Sequence, residues 1–229
     1  MTGVGTRIVP AGDAALIVAL PARLDVETSS RVIALAAAVR RRFGALVRDA
    51  VVGYHTLTVY FDPLAVDGRW MEAELAGILE DPTPAADVVA GAAIEVPVCY
   101  GGELGPDLES VAAQAGCTAA EVIDLHASRE YRVFVVGFVP GFAYMGPVEP
   151  RLALPRRSNP RTRVPAGSIG LAAGQTGIYP MVTPGGWHLI GQTRVRPFDP
   201  ARAEPVLFRP GDRVRFIPIN RDEFDRSDG

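Results

Sequence analysis

The chain has 229 residues, 48% of them hydrophobic and 21% charged, with a formal net charge of −3. This length suffices for one large domain or two modest ones, and the composition is that of an ordinary soluble globular protein. No apolar run approaches the roughly 18 residues of a membrane helix, and the apolar segment 14–22 lacks the basic leader of a secretory signal. We therefore expect a cytoplasmic protein without a membrane span, and its acidic charge argues against binding to nucleic acid.

All 23 basic residues are arginine, so the chain contains no lysine. This excludes a Schiff-base or nucleophilic lysine, and it excludes biotin attached to a lysine of this chain. The Walker A loop is excluded as well, because its lysine holds the nucleotide phosphates. Cys99 and Cys117 are expected to be small buried hydrophobes. Three scattered histidines do not form a ligand set, so no metal site is predicted.

Residues 1–84 are predicted to form a small α+β domain, because strands and two helices alternate in a ferredoxin-like order. Gly44 is expected to end the first helix and Asp67 to cap the second. The Pro-rich segment 81–87 is predicted to be a linker. The predicted elements are a strand pair in 7–20 around a turn at 11–13, a helix at 27–43, a strand at 56–61 and a helix at about 68–80.

Residues 88–224 are predicted to form a closed or nearly closed β-barrel whose open ends are covered by two helices. Asp107 is expected to cap the first of these, and Thr118 with Glu121 forms a capping box that opens the second. From Gly137 onward, short β-prone segments alternate with glycine and proline, and no further helix is predicted. The predicted strands include 93–100, 130–138 and 213–219.

The segment 150–198 is unusually basic, with seven arginines and no acidic residue in an otherwise acidic chain. A localised positive patch of this kind points to a bound anion, which is a carboxylate, a phosphate or an acidic partner surface. Arginine suits this role because its planar fork can donate two parallel hydrogen bonds. The seven are arginines 151, 156, 157, 161, 163, 194 and 196.

Turns rich in glycine and proline lie within or beside this basic segment. Pro140 and Gly141 form a turn dipeptide, and the bared backbone of such a turn can present N–H groups to an oxyanion. Gln175, Tyr179 and Trp187 would supply an amide, a phenol and an aromatic wall to a small amide substrate. We therefore expect these turns to build part of a ligand site at one rim of the barrel.

Taken together, these motifs resemble the 5-oxoprolinase B-subunit family, also called allophanate hydrolase subunit 1 or the carboxyltransferase C/D domain. A sporulation kinase inhibitor belongs to the same family. The resemblance covers the second part densely and reaches the first through 12–16 and 59–63. It is carried in the second part by 126–131, 137–144, 155–156, 160–161, 164–168, 175–180 and 184–187.

The resemblance implies an N-terminal α+β domain and a C-terminal cyclophilin-like barrel. It also implies pairing with the homologous C-type barrel of 5-oxoprolinase (the allophanate hydrolase subunit 2 type), with a ligand cleft between the two chains. A third chain, of the A type, would complete the opening of 5-oxoproline to glutamate, with ATP as co-substrate of the complex. One departure is Gln192, which stands where the family pattern has arginine.

The catalytic residues that we predict within this frame are Arg156 and Arg161 for stabilising negative charge and Gln175 and Tyr179 for orienting the amide. His126 is the remaining candidate because it titrates near neutrality, although its place at a helix end also fits a buried structural role. The predicted substrate-binding residues are Pro140, Gly141, Phe142, Tyr144, Gly167, Ser168, Gly185, Gly186 and Trp187.

Because this would be half of a site, we expect a single barrel to leave Tyr144, Tyr179 and Trp187 partly open to water until the partner covers them. Three functions stay open at this point. The chain is an enzyme subunit that acts on a small anionic amide, a regulator that binds a sensor histidine kinase, or the carboxyltransferase half of an enzyme whose biotin is carried elsewhere. The fold by itself does not decide between them.

Overall fold

The computed structural model describes residues 5–80 and 93–226. The chain divides into two compact units, 1–90 and 91–229. The predicted linker at 81–87 lies outside the described residues, so the predicted domain bounds of 1–84 and 88–224 stay a prediction. No helix within the described ranges is long and apolar enough to cross a membrane.

The first unit is a four-stranded antiparallel sheet with two helices packed on it. The Asp25 carboxylate caps the first helix by accepting from the Thr28 N–H at 2.7 Å, and Gly44 ends it with a φ of 50°. Asp67 accepts from the Trp70 N–H at 2.9 Å, as predicted. The elements are β1 (Arg7–Pro10), β2 (Ala15–Ala19), α1 (Val26–Phe43), β3 (Val47–Val52), β4 (Thr56–Phe61) and α2 (Gly68–Glu80).

The strand order β1-β2-β4-β3 confirms the ferredoxin-like arrangement. Strand β4 lies between β2 and β3 and is antiparallel to both, which is the split βαβ unit of that fold. Strand β1 pairs with the free edge of β2 and so takes the place that a strand after the second helix fills in the usual order. The apolar faces of both helices, including Val32, Val39 and Leu75, complete the core of this unit.

The second unit is a closed barrel of seven strands in the order β10-β7-β6-β13-β5-β12-β9, which confirms the predicted barrel. Strands β8 and β11 form a separate two-stranded sheet. The strands are β5 (Ile94–Tyr100), β6 (Glu130–Val136), β7 (Ala143–Gly146), β8 (Arg161–Val164), β9 (Ser168–Ala172), β10 (Gln175–Ile178), β11 (Thr183–Gly185), β12 (His188–Gln192) and β13 (Arg213–Pro218), and the helices are α3 (Leu108–Ala115), α4 (Ala119–Ala127) and α5 (Arg221–Arg226).

One helix of this unit begins as the sequence predicts, and two helices depart from the prediction. Thr118 and Glu121 form the predicted capping box of α4. Asp107 precedes α3, but the prediction that its side chain caps this helix is wrong, because the carboxylate is turned toward arginines 157 and 161. The short helix α5, with Phe224 buried, lies where no helix is predicted.

Candidate functional site

An aromatic cluster lies on the outside of the barrel, where paired glycines make room for it. Gly170 of β9 lies opposite Gly177 of β10, while the alternate residues of these strands point into the barrel core. A Cβ on Gly170 would approach the Tyr179 ring to 3.2 Å, and one on Gly177 would approach the Phe142 ring to 3.2 Å. The absence of side chains at this pair therefore lets the rings lie directly on the sheet.

Phe142 is the centre of this aromatic cluster and meets four other rings edge-on, counting that of the exposed Phe138. Its centroid lies 4.8 Å from that of Tyr144, 5.2 Å from that of Tyr179 and 5.5 Å from that of Trp187. Edge-to-face pairs at these distances are favourable because the positive edge of one ring meets the negative face of another. Val164 of β8 and Leu189 of β12 complete the cluster.

The rings cover one another more fully than the sequence suggests. Tyr179 is 2% exposed and Trp187 is 5% exposed, so the prediction that a lone barrel leaves both partly open is wrong. The physical reason is that the glycine pair and the β8–β11 sheet enclose them within a single chain. Tyr144 alone of the three is half-buried, as predicted.

Arg156 brings an exposed positive charge to the edge of this cluster. Burial raises the pKa of the Tyr144 phenol, and the Arg156 guanidinium opposes that rise. Burial likewise raises the pKa of the Tyr179 phenol, against a hydrogen bond from the Trp187 N–H and the charge of Arg156. Among the described residues, no carboxylate lies within ion-pair distance of Arg156. The exposed Arg156 guanidinium is therefore available to an anion at the edge of the aromatic cluster.

Arg161 is placed differently from Arg156. Its two terminal nitrogens donate to the Asp107 carboxylate at 2.8 Å each, and Arg157 donates to the same group at 2.8 Å. Burial raises the pKa of Asp107, but the hydrogen bonds from Arg161 and the Leu189 N–H, with both arginine charges, outweigh it and lower the pKa. Arg161 thus neutralises a buried carboxylate, and its predicted role toward substrate stays a prediction.

Two of the predicted glycines have positive φ and pack closely against other parts of the barrel. Gly141 has a φ of 81°, and a Cβ there would lie 2.7 Å from the Phe198 side chain. Gly167 has a φ of 78°, and its N–H donates to the Tyr179 carbonyl at 2.7 Å. The amide of Gly167 is therefore engaged within the fold, next to the buried Ser168.

The glycine turn at 185–186 packs against the aromatic cluster. A Cβ on Gly185 would overlap the Tyr179 phenol, and the Gly186 carbonyl accepts from the Arg157 N–H at 2.8 Å. The turn therefore touches both the aromatic cluster and the backbone beside Arg156. Pro140 is exposed at the other turn, where Phe138 has a φ of 71° and is 62% exposed.

Gln175, a predicted catalytic residue, and Gln192, which departs from the family pattern, have separate surroundings. Gln175 is buried at the start of β10, where it contacts Gly146. Gln192 donates from its amide to the Ala166 carbonyl at 2.6 Å. The residue that departs from the family pattern therefore bridges the turn at 165–168.

His126 lies inside the barrel and not in the aromatic cluster. Its ring is fully buried, with Nδ1 2.7 Å from the Tyr100 hydroxyl and Nε2 2.9 Å from the Thr176 hydroxyl. It also stacks on Phe216 at 4.6 Å between centroids. Burial lowers its pKa to about 3. The geometry places this residue among buried core side chains, and its predicted catalytic role stays a prediction.

A pH titration of stability tests that position. The unfolded chain binds a proton to His126 near its ordinary pKa of 6.5, whereas the folded chain does so only near 3. Between these values the unfolded state holds more protons, so the free energy of unfolding should fall by about 1.4 kcal/mol for each pH unit of acidification. Urea unfolding at pH 6, 5 and 4 measures this slope. The His126→Gln variant should lose most of it, and an unchanged slope would contradict the buried neutral imidazole.

Comparison with known proteins identifies the class of this barrel. Residues 6–208 match the family described as carboxyltransferase domain, subdomain C and D, and the chain belongs to that family. Within it, the chain belongs with the B subunits of 5-oxoprolinase, which confirms the resemblance seen in the sequence. The 5-oxoprolinase B subunit of Bacillus subtilis is 38% identical over 227 residues, covering 93% of this chain and 92% of that relative.

Two more comparisons agree. The 5-oxoprolinase B subunit of Escherichia coli O157:H7 is 47% identical over 180 residues, covering 75% of this chain and 78% of that protein. The crystal structure of TTHA0988 is 39% identical with a TM-score of 0.80 and covers 90% of this chain. This chain spans only 40% of TTHA0988, so the shared part there is joined to a longer stretch of protein.

Proposed function

We propose that this chain is the B-type subunit of an ATP-dependent 5-oxoprolinase, which opens the cyclic amide of 5-oxoproline to glutamate. The observation that carries the proposal is the match to the 5-oxoprolinase B subunit of Bacillus subtilis over 92% of its length. No observation on the described part of this chain favours a role as a kinase inhibitor or as a biotin-dependent carboxyltransferase.

The chemistry of the reaction fits the arrangement around Arg156. 5-Oxoproline carries a carboxylate, and its amide is unstrained and resonance-stabilised, so hydrolysis needs activation by ATP. In one such route the lactam oxygen is phosphorylated, which requires cations and hydrogen-bond donors where negative charge develops. Arg156 offers an exposed guanidinium, and its charge acts on the half-buried Tyr144 phenol. These groups would bind and orient the anionic substrate.

The proposal makes this chain one part of a larger enzyme. Its partners would be a homologous C-type barrel and an A-type chain of 5-oxoprolinase, with ATP as co-substrate of the complex. The absence of lysine means that no Walker A loop exists here to hold ATP. The longer chain of TTHA0988 is consistent with a second protein segment that accompanies this barrel.

Reconstitution tests this proposal. The purified chain alone should neither hydrolyse ATP nor open 5-oxoproline, because it lacks the partner barrel and a P-loop. Mixed with the A-type and C-type chains of its own organism, it should support release of glutamate that depends on ATP. Glutamate and ADP are measured for each chain alone, each pair and the full set. Turnover by the isolated chain, or a full set that is inactive on 5-oxoproline, would overturn the proposal.

A further inference from the structure

Asp107 is the most heavily bonded carboxylate beside the candidate site, and the sequence singles it out only as a helix cap. It is 4% exposed and accepts four hydrogen bonds, which come from Arg157, twice from Arg161 and from the Leu189 N–H at 2.7 Å. Its own N–H donates to the Leu189 carbonyl at 2.9 Å. Asp107 therefore ties the loop before α3 to β12 and to the basic segment.

Hydrogen bonds hold the backbone on both sides of Arg156. On one side, His188 Nε2 lies 3.0 Å from the Pro155 carbonyl. On the other side, the Arg157 N–H donates to the Gly186 carbonyl at 2.8 Å, while the Arg157 side chain reaches Asp107. Arg156 itself is exposed. A long, exposed side chain is thus carried on a segment that buried groups fix at each end.

We propose that Asp107 is a positioning residue, which holds the segment 155–161 against the turn at 185–186 and so fixes where the exposed Arg156 side chain leaves the barrel. This role rests on the proposed function, because Arg156 is the residue assigned to the anionic substrate there. Asp107 acts through Arg156 and does not touch the substrate itself.

The negative charge of Asp107 is needed for this role, and not only its shape. Two guanidinium groups converge on one buried carboxylate, and a buried charge that loses its partner is costly. In an Asp107→Asn variant, an amide nitrogen replaces one carboxylate oxygen. This nitrogen only donates, so it cannot accept the arginine N–H groups that point at it. One or both arginines would then swing out to water, and the segment that carries Arg156 would loosen.

Tyrosine ring signals test the placement on the isolated chain, without any assay of activity. In protein labelled with ¹³C-tyrosine, the signals of Tyr144 and Tyr179 report the charge beside them. We expect Arg156→Ala to shift both signals and Asp107→Asn to shift the same two in the same direction. Glu130→Gln is the matched control, because it removes a carboxylate that pairs with Arg213 at 3.1 Å on another face of the barrel.

A double-mutant cycle on the reconstituted enzyme tests the functional link. Asp107→Asn should lower kcat/KM for 5-oxoproline by about 10- to 100-fold. In the Arg156→Ala background, Asp107→Asn should lower kcat/KM by less than about a further 2-fold, because the effects of two residues that act through one another are not additive. Arg157→Gln, which keeps the pair between Arg161 and Asp107, should give a smaller loss in the same direction and serves if Asp107→Asn does not fold.

The outcomes separate this proposal from the proposed function. Unshifted Tyr144 and Tyr179 signals in a folded Asp107→Asn variant, or fully additive losses in the cycle, would overturn the positioning role. A wild-type complex that fails to open 5-oxoproline would overturn the proposed function alone, because the ring signals still decide whether Asp107 sets Arg156 in place.

Discussion

Replacing Arg156 with alanine is expected to leave the free energy of unfolding unchanged while lowering kcat/KM of the reconstituted complex for 5-oxoproline by about 10- to 150-fold. The range corresponds to one charge-assisted hydrogen bond worth about 1.5–3 kcal/mol. Stability should not change because the side chain is exposed and pairs with no carboxylate among the described residues. Urea unfolding and initial rates at varied 5-oxoproline measure the two effects on the same preparation.

Arg161→Ala is the matched comparison, because it removes the same charge from the same segment. Here the free energy of unfolding should fall by about 1–3 kcal/mol, since two hydrogen bonds to a buried carboxylate are lost. Sequence motifs assign both arginines the same role, and the structure separates them. If Arg156→Ala lost stability and kept its rate per folded molecule, Arg156 would be structural and the candidate site would lie elsewhere.

The elements that carry strong local signals can be predicted from the sequence. Strand 56–61 is predicted at its observed bounds, and the capping box places the start of α4. Strand β3 is not predicted, because Arg48 and Asp49 interrupt its apolar pattern. The helix α5 has six residues, which is too short for a helical period to show.

Only those parts of the candidate site that composition and turn motifs reveal can be predicted from the sequence. Counts and turns identify the basic segment and its aromatic residues, and the structure packs Tyr144 and Tyr179 around Phe142. The distinction between Arg156 and Arg161 depends on Asp107, which precedes Arg161 by 54 residues. Such a pairing is set by how the loop before α3 packs on the barrel, and no local pattern encodes it.

The burial of the rings escapes prediction for a similar reason. Turn positions suggest an open rim, but the enclosure depends on the register that sets Gly170 against Gly177. Strand register is fixed by the whole sheet, and a shift by one residue would turn the other face outward. Nothing local to either glycine indicates that the two will meet.

Because Trp187 is buried in this packing, its replacement is expected to have the largest effect on stability. Trp187→Ala should lower the free energy of unfolding of the barrel unit by about 3–5 kcal/mol, the usual cost of emptying a buried aromatic site. The ring is 5% exposed and meets Phe142 at 5.5 Å and Tyr144 at 5.8 Å between centroids. Urea unfolding of the isolated chain, followed by far-ultraviolet circular dichroism, measures the loss.

Trp70→Ala is the control, because Trp70 is the other tryptophan of the chain and is 43% exposed on α2. Trp70→Ala should lower the free energy of unfolding by about 1 kcal/mol or less, because much of the Trp70 side chain already contacts water. Trp187→Phe should recover part of the loss by refilling the space over Gly170. If Trp187→Ala instead kept full stability while the complex lost its affinity for 5-oxoproline, the ring would be a wall of the ligand site. The aromatic cluster would then open in solution, as the turn positions suggest.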